Sequence, residues 1–334
     1  MTTLIAGGAG FVGSHLCERL LTQGESVVCI DNLMTGRLKN VREYLDHPGF
    51  MFIQHDIVET TAELPRFDRI YHLASPASPP AYQRFAIDTL RVNSEGTLRL
   101  LNLAKNDCAK FLYASTSEIY GDPLMHPQRE DYRGNVNPVG PRSMYDEAKR
   151  YGEALTVAYS ATHQVDARIV RIFNTYGPRM DPEDGRVVSN FIVQALQGKP
   201  ITIYGDGSQT RSFQYVDDLV DGMIRLMESD QTDPVNIGNP AEYTVLELAR
   251  IVKDLTGSPS PIEFRPLPQD DPKQRRPDIS LAWKSLGWEP IVPVLDGLRR
   301  TIAYFRAELI ETGIIDHAEL IPNLQQAMAV GSRD

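Results

Sequence analysis

A phenol, an ammonium, a hydroxyl and a carboxylate carry the most chemistry in this sequence. Tyr145 and Lys149 stand one helical turn apart in Tyr145-Asp-Glu-Ala-Lys149, so both fall on the same face of a helix. A cation close to a phenol favours its ionised form, which suits a tyrosine acting as a base near neutral pH. Thr116 and Glu118 belong to Ser115-Thr-Ser-Glu118, which closes the apolar run Lys110-Phe-Leu-Tyr-Ala114. The expected chemistry is proton removal from a hydroxyl, with Glu118 as an additional group of separate purpose.

Such residues need a scaffold, and the first half of the chain alternates strand-like with helix-like segments. Strands are expected at 3–6, 26–31, 50–54, 68–73, 110–114 and 167–173. Helices are expected at 11–23, about 89–106 and about 143–162. This order predicts an α/β fold with a doubly wound parallel sheet and helices on both faces. Ligands of such sheets bind beyond the carboxyl ends of the strands, where Thr116, Glu118 and Asn174 stand. Beyond about residue 176 proline and glycine become frequent, and helices at about 187–197, 216–228, 244–256 and 292–311 alternate with short strands. The expected division is a cofactor-binding Rossmann domain over 1–175 and a smaller α/β substrate domain over 176–314, with some segments returning to the first. A loop is expected at 258–277, and a tail of no evident role at 315–334.

Gly7-Gly-Ala-Gly10-Phe-Val-Gly13 follows the first strand and opens the first helix. Its glycines allow a tight turn and bring backbone amides, with Phe11 and Val12, up to a pyrophosphate at the helix N-terminus. Asp31 ends the second strand, where a carboxylate accepts from the adenosine ribose and repels the extra phosphate of NADP, so NAD is the expected cofactor. Asp56 and Ile57, after the third strand, are placed either to meet the adenine or as plain loop residues.

Composition removes other classes. Among 334 residues, 42% are hydrophobic and 23% charged, ordinary values for a globular chain. No run approaches the ~18 apolar residues of a membrane helix, and the N-terminus carries no basic leader, so a cytoplasmic protein is expected. A formal net charge of −10 argues against nucleic acid or an anionic membrane as partner, and means that an anionic substrate needs local arginines. Cys17, Cys29 and Cys108 have no metal-like spacing and read as reduced thiols, and the seven histidines form no metal motif.

Tyr-x-x-x-Lys below a glycine-rich turn resembles the extended short-chain dehydrogenase/reductase superfamily, many members of which act on nucleotide sugars. Several motifs resemble the UDP-glucuronate decarboxylases (UDP-xylose synthases) within it. They are His72-Leu-Ala-Ser-Pro-Ala-Ser-Pro-Pro80, Ser115-Thr-Ser-Glu-Ile-Tyr-Gly121, Arg171-Ile-Phe-Asn-Thr-Tyr-Gly-Pro-Arg179, Asp184-Gly-Arg-Val-Val-Ser-Asn-Phe191, Tyr204-Gly-Asp-Gly-Ser-Gln-Thr-Arg-Ser-Phe213 and Arg275-Arg-Pro-Asp278. The likeness spans about residues 1–310. Sugar-nucleotide dehydratases resembling this chain carry an aspartic acid where Ser117 stands, and a hydroxyl is too weak an acid to replace it. Ser212 stands where cousins carry another aspartate, and its neutrality suits an anionic sugar. The chain departs from the decarboxylase pattern at Ala6, Arg91, Val92, Arg133 and Asn135.

The resemblance implies decarboxylation of UDP-glucuronate to UDP-xylose with NAD recycled in place. It implies Tyr145 as base, Lys149 and Thr116 as its aids, and Glu118, with a raised pKa, working with Arg275 at the sugar carboxylate. It implies further cofactor contacts at Asn32, Thr35, Gly36, Leu73, Ala74, Ser75 and Thr175. Arg91, Asn174, Arg186, Val188, Tyr204 and Arg211 are the implied substrate contacts. A homodimer through the helices at 89–106 and 143–162 is implied as well. A UDP-sugar 4-epimerase uses the same Tyr145 and Lys149, and it stays open beside a 4,6-dehydratase and a non-catalytic NAD-binding regulator.

Overall fold

The structure, a computed structural model, describes residues 1–59, 64–267 and 274–316. The first half contains β1 (Thr2–Ala6), α1 (Phe11–Thr22), β2 (Ser26–Asp31), β3 (Phe50–Gln54), β4 (Arg69–His72), α2 (Pro79–Arg84), α3 (Ala86–Arg91), α4 (Thr97–Asp107), β5 (Lys110–Thr116), α5 (Ser143–His163) and β6 (Ala167–Ile172). The second half contains β7 (Thr175–Tyr176), α6 (Val187–Leu196), β8 (Ile201–Tyr204), β9 (Thr210–Ser212), β10 (Gln214–Tyr215), α7 (Val216–Glu228), β11 (Val235–Ile237), β12 (Glu242–Thr244), α8 (Val245–Thr256), β13 (Ile262–Arg265), β14 (Gln274–Arg275), α9 (Ser280–Leu286) and α10 (Val294–Glu311).

The apolar runs pair into a parallel sheet of seven strands in the order β11-β6-β5-β4-β1-β2-β3. Runs such as Phe111 to Thr116 are buried along their whole length, as strands covered on both faces must be. Leu16 and Leu20 of α1 and Leu219 and Met223 of α7 pack on one face, and Leu100, Leu101 and Ala104 of α4 on the other. The fold is thus the expected Rossmann arrangement, and β11, from the second half, returns to its edge. The chain leaves β1 toward β2 and β3 on one side and later adds β4 to β6 on the other. The crevice at that reversal is where such sheets bind ligands.

Two expectations change. The helix expected at 89–106 is α3, a π-helical turn over Val92–Gly96, and α4. Side chains compete with the backbone ladder there: Asn93 Nδ2 donates to Thr89 O, Ser94 Oγ to Leu90 O and Thr97 Oγ1 to Asn93 O. The loop expected at 258–277 contains β13, paired in parallel with β8, and β14, paired in parallel with β9. Part of that loop, 268–273, and the expected tail beyond Asp316 lie outside the described residues.

Close contact of α1 with the first turn rests on glycines. Gly7 adopts φ +82°, and an added Cβ there would stand 2.7 Å from the Ala74 backbone. At Gly13 a Cβ would stand 2.2 Å from Gly7 O and 2.7 Å from Gly8 Cα. Backbone atoms on both sides cannot yield as a side-chain tip can, so Gly13→Ala is expected to destabilise the fold by about 2 kcal/mol or more. A urea unfolding midpoint equal to that of the parent would show that α1 can shift away at little cost.

Candidate active site

The carboxyl ends of the central strands open into one cleft of 580 Å³. A recess of 80 Å³ shares Gly7, Gly10, Thr35, Leu73 and Ser75 with it and continues past β2 and β3.

At the end of β5, Thr116 remains extended (φ −149°, ψ 156°), and its hydroxyl accepts from Glu118 N at 3.2 Å. The chain then tightens into a 3-10 turn over Ser117–Tyr120. This local cap turns the Glu118 carboxylate into the cleft, where two guanidiniums meet it. Arg142, the residue before α5, pairs with Oε2, and Arg275 pairs with Oε1. Arg275 is 1% exposed; its Nη2 also donates to Gly121 O at 2.9 Å. Being in a strand rather than a loop, Arg275 stands in register with Arg211, and both line the cleft. Ser212 is not among the lining residues: its hydroxyl donates to Arg275 O at 3.3 Å, so it supports the arginine's strand instead of facing a sugar.

Burial alone would raise the Glu118 pKa, but Arg142 and Arg275 outweigh it and hold the carboxyl down at about 2. The expectation of a raised value is therefore corrected: the sequence did not reveal Arg142, and the opposite charges decide the sign. Burial, together with the Glu118 charge and against Arg142 and Arg275, lifts the neighbouring Asp146 to about 7.

On α5, Tyr145 and Lys149 both line the cleft and both are buried. Lys149 Nζ donates to Ala114 O at 2.8 Å and lies 5.8 Å from the Tyr145 ring centroid. Burial lowers the ammonium to about 7, with Glu153 opposing. Burial pushes the Tyr145 phenol up to about 12, against a hydrogen bond with Thr116 and the charge of Arg186. A lowered phenol was expected; desolvation decides the sign instead. Tyr82 of α2 stacks on Tyr145, with centroids 5.0 Å apart and planes at 10°.

The glycine turn has the shape a dinucleotide needs. α1 begins at Phe11 with no side-chain cap and no acidic residue in its first turn, so its amides and dipole favour an anion. Phe11, Val12, Gly13, Thr35, Leu73, Ser75 and Thr175 line the cleft. Asp31, Asn32, Gly36, Asp56, Ile57 and Ala74 line the recess. Asp31 is 7% exposed, and its carboxylate accepts from backbone amides, Leu33 N at 2.8 Å on one oxygen and Ala9 N at 3.0 Å on the other. Asp56 is engaged by Asn32 Nδ2 at 3.0 Å and Val58 N at 2.9 Å.

Asn174, Arg186, Val188, Tyr204 and Arg211 line the far side of the cleft. Arg91, expected with them, does not. It lines the recess beside Asp56 and Ile57, with a side chain 43% exposed and paired with Glu95 at 3.2 Å. Arg142, Tyr82, Arg37 and Arg179 also line the cleft and were not foreseen. The run Pro141-Arg-Ser-Met-Tyr145 placed Arg142 one turn before the tyrosine, which was the available signal.

Against an ordinary glutamate value near 4.3, a folded value of about 2 means that the stability from Glu118 is present above the unfolded pKa and lost as pH falls toward 2. Carbon-13 NMR of the Glu118 carboxyl is expected to show a carboxylate throughout pH 7 to about 4. A midpoint at an ordinary glutamate value would show that the two guanidiniums do not hold it.

The model of the NAD dependent epimerase/dehydratase family matches residues 3–238. UDP-glucuronic acid decarboxylase 1 of Danio rerio is 56% identical over 306 residues, covering 92% of this chain and 73% of that one. UDP-glucuronic acid decarboxylase 3 of Arabidopsis thaliana is 52% identical over 310 residues, covering 92% and 90%. Among solved structures, the UDP-glucuronic acid 4-epimerase of Bacillus cereus, in complex with UDP-glucuronic acid and NAD, superposes with a TM-score of 0.84 at 31% identity, covering 92% of this chain and all of that one. The UDP-glucose 4-epimerase of Thermotoga maritima, with UDP-glucose, gives 0.85 at 30% identity with the same coverage. With its sheet order, its glycine turn and this match over most of its length, the chain belongs to the NAD dependent epimerase/dehydratase family.

Proposed function

We propose that this protein is a UDP-glucuronate decarboxylase that forms UDP-xylose and CO2 with NAD recycled in the site. The observation that carries this reading is the clamp on Glu118. Two guanidiniums and one carboxylate leave one net positive charge beside Tyr145, which complements a sugar carboxylate. The identity of 51–56% to decarboxylases over 92% of the chain supports it.

Direct loss of CO2 from C5 would leave an unstabilised carbanion. A ketone at C4 puts the carboxylate beta to a carbonyl, so the electron pair can flow into an enolate. NAD, when bound, would supply a reversible hydride acceptor for C4 and a cationic ring. Tyr145 removes the O4 proton and later returns it, and Thr116 orients that hydroxyl. Lys149 holds the nicotinamide ribose and helps to ionise the phenol. Arg275 and Arg142 hold the sugar carboxylate. Glu118, ionised in the clamp, orders a water near C5; that water gives a proton to C5 of the enolate and the hydroxide left is neutralised from solvent, so Glu118 is not itself a standing acid. Arg211 receives the diphosphate, Asn174 and Arg186 the sugar-phosphate, and Val188 and Tyr204 the uridine.

This reading assigns residues 1–175 to the cofactor and 176–314 mainly to the nucleotide sugar, in a cytoplasmic homodimer. The half-exposed to exposed Ile87, Leu90 and Leu98 on the segment 86–107, with Tyr151 and Val157 on α5, form the apolar surface for the second copy. Among the described residues no helix is long and apolar enough to cross a membrane, and no cluster could hold a metal.

Incubation with UDP-glucuronate is expected to release CO2 and a UDP-pentose. UDP-galacturonate without CO2 would establish the 4-epimerase reading instead. Tyr145→Phe is expected to lower turnover by about a hundredfold or more, and a variant of near-parental rate would remove Tyr145 as base. Glu118→Ala should slow turnover, with a smaller loss of substrate affinity because Arg142 and Arg275 lose the anion that orders them; an unchanged rate would reduce Glu118 to a structural counter-ion. Light scattering is expected to give twice the chain mass, and a monomer would refute the dimer.

A further inference from the structure

Arg37 carries a buried charged N–H that the proposed chemistry leaves unused. Its backbone amide donates to Ala9 O at 2.9 Å, which fixes it against the glycine turn. Its side chain divides three ways. Nη2 pairs with Glu308 of α10, Nε lies 3.9 Å from Asp181 Oδ2, and Nη1 is buried with no hydrogen-bond partner among the described residues. A buried donor left unpaired is costly, more so when charged. Arg37 lines the cleft with Gly10, Phe11, Val12, Thr35 and Asn40, where α1 presents its uncapped first turn.

Glu308 is 4% exposed and is held by both Arg37 and Lys39. Arg37 and Lys39 stand against two carboxylates, Glu308 and Asp181, so the group is close to neutral and Nη1 is its unpaired donor among the described residues. The ion pair also fixes the guanidinium fork, so that binding an anion there needs little further ordering of the side chain. Lys39 shares Glu308 but does not line the cleft, so the two cations have separable roles.

We propose that Arg37 is a further cofactor-binding residue, whose Nη1 donates to the diphosphate of the dinucleotide, and that Glu308 is the positioning residue that aims it. This rests on the NAD reading above. It also gives α10, which lies beyond the residues 3–238 matched by the family, a part in cofactor retention.

The full-length protein, stripped of cofactor, is titrated by calorimetry with NAD, ADP and adenosine. The parent is expected to bind all three. Arg37→Met is expected to weaken NAD and ADP by about tenfold or more, the scale of a lost charged hydrogen bond, with adenosine unchanged. Glu308→Gln should cause a smaller loss of ADP affinity that vanishes when added to Arg37→Met, a non-additivity that a general loss of stability would not produce. Lys39→Met should leave ADP binding as in the parent. ADP affinity of Arg37→Met equal to the parent's, or an equal loss for adenosine, would overturn the proposal. If Arg37→Met does not fold, Arg37→Lys decides: it keeps the charge without the fork, a several-fold loss of ADP affinity is expected, and parental affinity overturns it. A parent that binds neither NAD nor ADP would overturn the cofactor reading itself.

Discussion

One carboxylate joins the parts of this molecule that chemistry needs together. Glu118 follows β5, Arg142 precedes α5 and Arg275 belongs to β14, and the two guanidiniums meet on the one anion. Two arginines so close would repel one another in a half-buried cleft, where opposite or like charge counts for more than in water. The anion between them lets both stay and leaves a single positive charge in excess. The two guanidiniums, against burial, hold Glu118 at about 2, and the residual charge complements an anion. A clamp of this kind also relates the sheet, the helix that carries Tyr145 and β14, the neighbour of the strand that carries Arg211. A shift in any one of them changes the charge seen by the other two.

Burial sets the second constraint, and it acts in opposite senses on neighbouring groups. It drives Lys149 down to about 7 and Tyr145 up to about 12, so both lean toward their neutral forms. Asp146, pushed up to about 7, leans the same way. A site poised in this manner resists charging until a compensating charge arrives. An incoming cationic ring would favour the phenolate, and an incoming carboxylate would favour the ammonium and the guanidiniums. A phenol in this setting therefore gives up its proton more readily once such a cation stands beside it.

What could be read from the residues alone was local. Tyr145 and Lys149 announce themselves by helical spacing, the glycine turn by its place between a strand and a helix, and β5 by an unbroken apolar run. Arg275 was legible only by resemblance, and its strand was read as loop. β14 pairs with β9 over two residues, too short for any periodicity, and Arg275 reaches Ser117 across 158 positions of chain. Arg142, one turn before Tyr145, went unread because nothing in the sequence says which way its side chain faces, and with it went the direction of the Glu118 shift. Ser212 was legible as a neutral replacement, but its bond to the Arg275 carbonyl needed the strand pairing. Arg91 was drawn toward the substrate by its charge, whereas the course of α3 sets it beside Asp56.

A chain of net charge −10 must also admit an anion of several charges, and its cleft shows how. Arg37, Arg142, Arg179, Arg186 and Arg275 line it, and each is held by an acidic partner: Glu308, Glu118, Glu18 with Glu43, Asp184, and Glu118 again. The carboxylates cancel much of the charge, so long-range attraction is not the main gain. Their effect is to fix each guanidinium's plane before a ligand arrives, which removes side-chain ordering from the cost of binding. Acidic residues that look unfavourable beside an anionic ligand thus work in its favour, because an arginine already aimed binds a phosphate or carboxylate more tightly than one that must still be ordered.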